Sequence, residues 1–124
     1  MNREIKFRAW DEVSEKILNW NDFLDTNMKN TFIAPESTGL ILMQYTGLDD
    51  KNGKEIYEGD IAKYENMIGK IMFFNGSFIL SDFEETEEWE LGVINEELET
   101  MGNIYESELV GGEDENWKRI LRIL

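Results

Sequence analysis

Ile68-Gly69-Lys70-Ile71-Met72-Phe73-Phe74 is followed by Asn75-Gly76 and then by Ser77-Phe78-Ile79-Leu80-Ser81-Asp82-Phe83. Two runs rich in β-branched and aromatic residues are thus separated by two turn residues. Asn-Gly tolerates the positive φ angles of a type I′ turn, so this stretch reads as a tight hairpin. Just upstream, Asp60–Tyr64 has strand composition and reaches Ile68 through the turn Glu65–Met67. The hairpin therefore grows into a three-stranded meander over residues 60–83. Downstream, Glu87–Val93 and Glu97–Met101 are further strand candidates.

Leu40–Tyr45 is apolar and bounded by Gly39 and Gly47. A run this short suits a buried strand better than a helix. Asn52-Gly53, inside the polar stretch Leu48–Glu55, predicts another type I′ turn. Nearer the start, Ile5, Phe7 and Ala9 alternate with Lys6 and Arg8, the period of a strand with one buried face. Lys16–Trp20 is the returning strand of that hairpin. Asn21–Asn30 admits one or two helical turns with Asp22 as cap, or an irregular loop. Thr31–Ala34 is a short strand candidate that stops before Pro35. Asp114–Leu124 places Trp117, Ile120, Leu121 and Leu124 on one helical face.

These elements predict a mainly β, β-rich α+β fold. It comprises a small, strongly bent sheet or SH3-like barrel on the meander, an N-terminal hairpin and a short C-terminal helix. One domain is expected over 1–124: an N-terminal β part at 1–45, a barrel-like part at 56–109 and a helical extension at 110–124. Leu, Ile, Val and Phe supply 34 of the 124 residues, well above the share expected of a disordered chain.

The chain carries 27 acidic and 12 basic residues for a net charge of −15, with no Cys and no His. Disulfide frameworks, thiol nucleophiles, zinc sites with Cys ligands and imidazole bases are excluded. The charge is uneven. Asp82 to Glu115 holds 14 acids and no base, and the bases beyond are Lys118, Arg119 and Arg122. That field opposes nucleic-acid phosphates and anionic membranes. No uncharged run is long enough to span a bilayer, and the charged start Met1–Lys6 has no apolar h-region behind it, so the expected compartment is the cytoplasm.

No catalytic constellation, metal site or cofactor site is read. Asp49, Asp50, Glu55, Glu58 and Asp60 cluster around Gly53. A calcium loop built with Gly53 at its sixth position would put Leu48 first and Gly59 last, where carboxylates are needed. Turn formation explains those residues better. Asp82, Glu84, Glu85, Glu87, Glu88, Glu90, Glu96, Glu97 and Glu99 form the candidate acidic binding surface, against the alternative of a merely solvated face. Trp10, Trp20, Phe73, Phe74, Phe78 and Trp89 read as core packing rather than as a stacking platform, because no positive groove accompanies them.

Three stretches resemble the YopX family. The first is Arg3-Glu4-Ile5-Lys6-Phe7-Arg8-Ala9-Trp10-Asp11. The second runs from Met43-Gln44-Tyr45-Thr46-Gly47-Leu48 through Asp50-Lys51-Asn52-Gly53-Lys54-Glu55-Ile56-Tyr57-Glu58-Gly59-Asp60-Ile61. The third is Gly102-Asn103-Ile104-Tyr105-Glu106. This chain departs from the family pattern at Ser107-Glu108, where Asn-Pro is usual, and residues 110–124 extend beyond it. The resemblance implies a protein encoded by phages and prophages, with a β-rich, partly barrel-like fold. It implies no activity and no site residues, because the family is uncharacterised.

Three functions follow as expectations. The first is a non-enzymatic accessory protein that binds an unidentified protein partner, with Trp117, Ile120, Leu121 and Leu124 as a candidate assembly helix joining copies of the chain. The second is an acidic mimic of nucleic acid that occupies a host protein's basic groove. The third, disfavoured, is a carboxylate or metal-dependent enzyme.

Overall fold

Asn75 and Gly76 take φ angles of 51° and 85°, so the turn that organises the meander has positive φ at both central positions. The computed structural model describes residues 4–106. The expected helix at 114–124, with Trp117, Ile120, Leu121 and Leu124, lies outside the described residues. The chain divides into two compact units, residues 1–45 and 46–124.

In the first unit, β1 (Phe7–Asp11) pairs antiparallel with β2 (Lys16–Leu18), with Asp11 opposite Lys16. It pairs on its other side with β3 (Leu40–Asp49), with Ala9 opposite Leu42. The returning strand is shorter than the sequence suggests. Asn19 leaves the strand and its side chain accepts from the Asp22 amide at 2.8 Å, so Trp20 opens a helix, α1 (Trp20–Leu24). The cap is thus Asn19 and not Asp22.

Thr31–Ala34 is not a strand. Asn27 accepts from the Asn30 amide at 3.2 Å and starts α2 (Met28–Ile33), which ends at Ala34 just before Pro35. Thr31 has strand composition, but it is fully buried on the helix and its hydroxyl bonds to the Asn27 carbonyl. Ala9, Phe23 and Leu40 form the core of this unit, with Phe7, Leu18, Trp20, Met28 and Leu42 packed around them.

In the second unit, β3 continues to Asp49 and neighbours β4 (Glu55–Tyr57). The connecting turn is not type I′. Gly53 has φ 78°, while Asn52 stays outside the positive region. The Gly53 amide donates to the Asp50 carbonyl at 2.9 Å, and the Asp50 amide donates to the Lys54 carbonyl at 2.8 Å. A single left-handed glycine after a tight turn is the next commonest hairpin solution.

The meander forms as read: β5 (Asp60–Tyr64), β6 (Met67–Phe74) and β7 (Ser77–Asp82) are successively antiparallel. Glu87–Val93 is strand only over β8 (Glu88–Glu90). Leu91 and Ile94 then turn inward on a single helical turn, α3 (Leu91–Ile94), because both side chains must reach the core. The last strand, β9 (Glu99–Asn103), begins two residues later than predicted.

The sheet order is β8-β7-β6-β5-β9, and the sheet curls strongly into a half-barrel. A bulge between Ile61 and Ala62 contributes. Ile61 faces Gly102 and Ala62 faces Thr100, so Met101 is the extra residue, beside Gly102 at φ 147°. The concave face holds Ile56, Ala62, Ile71, Leu80, Leu91, Ile94 and Leu98, with Trp89 and Phe78 packed against them. Each fully buried side chain of this kind is worth about 1.5–3 kcal/mol.

Gly69 packs directly against the backbone of β7. A β-carbon there would lie 2.2 Å from the Ser81 carbonyl oxygen, a backbone atom that cannot swing aside. Gly69→Ala is expected to destabilise the protein by at least about 2–3 kcal/mol through overpacking. Gly76→Ala faces open space and should lose only about 1–2 kcal/mol for its left-handed backbone. Urea denaturation of the two variants gives both values and their order.

Candidate functional site

The residues of the long motif are occupied in holding backbone. Asp50 is buried, and its carboxylate takes four hydrogen bonds. Oδ1 accepts from the amides of Asn52 (2.8 Å) and Lys54 (3.0 Å). Oδ2 accepts from the amide and hydroxyl of Thr100, at 3.0 and 2.9 Å. Two further bonds join the same segments: the Lys51 amide to the Leu98 carbonyl (2.9 Å), and Asn95 Nδ2 to the Asp49 carbonyl (2.7 Å). Asp60 Oδ2 accepts from the Tyr57 amide at 2.8 Å across the turn at Gly59, whose φ is 90°. Asn103, also buried, accepts from the Tyr105 amide and donates to Glu106. Among the described residues, no group of three or more carboxylates is arranged to hold a metal ion.

Sequence reasoning placed Asp50 in a turn but missed its bond to Thr100. The Asp-Lys-Asn-Gly spacing signals the turn; nothing local signals a partner fifty positions away.

The candidate acidic surface is divided. Asp82 is half-buried and its carboxylate is engaged by its own loop. Its carboxylate accepts from the amides of Thr86 (2.7 Å) and Glu87 (3.1 Å) and from the Thr86 hydroxyl, closing the turn from β7 to β8. Burial pushes its carboxyl up, and these hydrogen bonds outweigh burial and hold it below the ordinary value. Glu84, Glu85, Glu87, Glu88 and Glu90 are exposed in that turn and along β8. Glu96, Glu97 and Glu99 are exposed before and within β9, at the opposite edge of the sheet. Glu99 meets Lys51 at 3.5 Å.

The β8 group belongs to a defined face. Strand register aligns Lys70, Ser81 and Glu88 in one row, and Met72, Ile79 and Glu90 in the next, with Phe74 opposite Ser77. Alternation puts these on the convex side, since Ile71, Leu80 and Trp89 between them face the core. Met72, Phe74, Ile79, Ser81, Glu85 and Glu88 line a shallow pocket of about 90 Å³. Its floor is apolar and its rim acidic. Lys70 answers Glu85 at 2.8 Å, and Glu90 accepts from the Ser77 hydroxyl at 3.0 Å.

The expectation that the aromatics are core residues holds for Trp20, Phe78 and Trp89, which pack against the two cores. It fails for Phe73 and Phe74, which are 53% and 47% exposed at the end of β6. The hairpin tip extends past the core that would cover them.

This curled β sheet with a glycine- and carboxylate-fastened motif defines a class. The family model described as YopX protein matches residues 6–110, and the chain belongs to the YopX family. The fold is similar to the crystal structure of protein EF1440 from Enterococcus faecalis, with a TM-score of 0.58 and 25% identity over 86% of this chain and 97% of that one. No curated protein matches. Among the described residues, no helix is long and apolar enough to cross a membrane.

Burial pushes the Asp50 carboxyl up, but its hydrogen bonds hold it below the ordinary value. A carboxyl so depressed in the folded state stabilises above its unfolded pKa, near 3.9, and ceases to as pH falls through the lower folded value. Asp50→Asn is therefore expected to lose about 2–3 kcal/mol at pH 7, since it disrupts hydrogen bonds to a charge. Its deficit against the parent should shrink below about pH 4, as urea titrations at several pH values will read.

Proposed function

We propose that this protein acts by binding a protein partner rather than by catalysis, as a cytoplasmic accessory protein encoded by a phage or prophage. The observation that carries this is the convex face of β6, β7 and β8. There Phe74 stands about half exposed beside Met72 and Ile79, under a rim of Glu85, Glu88 and Glu90. Aromatic anchors inside a polar rim are the common composition of protein interfaces. The partner that fits presents basic and apolar side chains together, and its association weakens with salt.

Nucleic-acid mimicry needs acids in one continuous track. Their division between the β8 and β9 edges, with Asp82 turned into its loop, favours the apolar-centred reading.

The test is affinity capture from host lysate with the parent, Phe74→Ser and Glu88→Lys, followed by direct titration of the purified partner. Both substituted side chains are exposed, although Ile79 and Ser81 beside them are buried, and neither belongs to the core cluster. The proposal expects a partner that the parent retains and that both variants bind at least tenfold more weakly, about 1.4 kcal/mol. Equal retention by all three overturns it.

A further inference from the structure

We propose that Asn75 is a site of spontaneous deamidation, its side-chain amide converted to a carboxylate through attack by the Gly76 backbone nitrogen, and that the fold shields Asn52 of the other Asn-Gly pair. The inference is independent of the docking face proposed above.

The chemistry is intramolecular. The Gly76 nitrogen forms a bond to Cγ of Asn75 and sheds its proton. That proton ends, through water, on the departing amide, which leaves as ammonia. The five-membered imide then takes up one water at either of its two carbonyls. Opening at one gives aspartate; opening at the other gives isoaspartate, in which the main chain runs through the former side-chain carboxyl. One water enters and one ammonia leaves, with no oxidant or reductant. Glycine obstructs the attack least because it has no β-carbon. Neighbouring residues supply the proximity that a bimolecular reaction lacks.

The sequence holds two Asn-Gly pairs, Asn52-Gly53 and Asn75-Gly76. All four residues are exposed, and a β-carbon at either glycine would meet open space, so access does not separate the pairs. The attacking nitrogen does. The Gly53 amide donates to the Asp50 carbonyl at 2.9 Å, and the Asn52 amide donates to Asp50 Oδ1 at 2.8 Å. Asp50 is itself buried and tied across to Thr100. Attack by Gly53 must first give up its bond, and one ordinary hydrogen bond slows a reaction by about two- to tenfold. Asn75-Gly76 is the whole of a two-residue loop. The β6–β7 ladder ends at Phe74 opposite Ser77, so the Gly76 amide lies beyond its last rung.

The two products differ in consequence. Asp-Gly supports the same type I′ turn as Asn-Gly. Aspartate therefore keeps the hairpin and adds a charge beside Phe74, within the uncharged run Ile71–Ser81. Isoaspartate lengthens the loop's main chain by one carbon, and loop length fixes hairpin register.

Ageing the full chain at mildly alkaline pH, folded and in urea, followed by peptide mass spectrometry and isoaspartate-specific enzymatic methylation, tests this. In the folded chain Asn75 is expected to convert severalfold faster than Asn52 and ahead of every other Asn. In urea the two Asn-Gly pairs should convert at similar rates. Molecules carrying isoaspartate should unfold at lower urea than Asn75→Asp, whose circular dichroism should match the parent. Asn52 converting as fast as Asn75 in the folded chain overturns the inference. So does a preference for Asn75 that persists unchanged in urea, or an Asn75 amide still intact in the folded chain after the urea sample has converted. Isoaspartate molecules as stable as Asn75→Asp overturn the assigned consequence for the turn.

Discussion

The carboxylate of Asp50 is where two separate pieces of the second unit are fastened. It caps the turn between β3 and β4, closes that turn's own backbone through Asn52 and Lys54, and anchors Thr100 on β9. β9 is an edge strand held on its other side by β5 across a bulge. A bulged edge pairs poorly, so the side-chain bond supplies what the ladder loses there. Position also matters. A buried carboxylate without donors is strongly disfavoured, whereas one with four is satisfied. Together with the Lys51–Leu98 and Asn95–Asp49 bonds, this acceptor ties residues 95–100, and with them the core residue Leu98, to the β3–β4 turn.

Legibility in the sequence tracked the range of the forces involved. The hairpin at Asn75-Gly76 was readable because its turn chemistry is confined to two residues. The meander followed because its strands are adjacent in the chain. Thr31–Ala34 misled because Thr and Phe favour strands on average, while Asn27 sets a helix start that outweighs a weak propensity. The end of β8 was invisible for a different reason. Leu91 leaves the strand to fill the core, and that demand comes from Ile71 and Leu80, far away in sequence. The candidate site divides in the same way. The acidic run was evident, but its separation between two sheet edges is a property of strand order, which no local pattern encodes. The exposure of Phe73 and Phe74 likewise depends on how far β6 and β7 outrun the core.

The acids of β8 and β9 also have a protective role. Both strands lie at the edges of the sheet, with no further strand beyond them among the described residues. Edges of this kind invite pairing with other chains, and charged side chains with short strand length discourage it. Glu88 and Glu90 on a three-residue strand at one edge, and Glu99 at the other, meet both conditions. At β8, edge protection and the proposed partner binding thus draw on the same carboxylates.

The stretch that marks membership of the YopX family consists largely of residues fixing the backbone: Gly47 at φ 86°, Gly53, Gly59, and the bonds of Asp50, Asp60 and Asn103. None of them lines the convex face of β6, β7 and β8. The family signature is therefore a skeleton, and the surface that would select a partner is written in a separate part of the chain. A chassis of this construction can keep its shape while its outward face is rewritten, so two members with the same frame need not share a target.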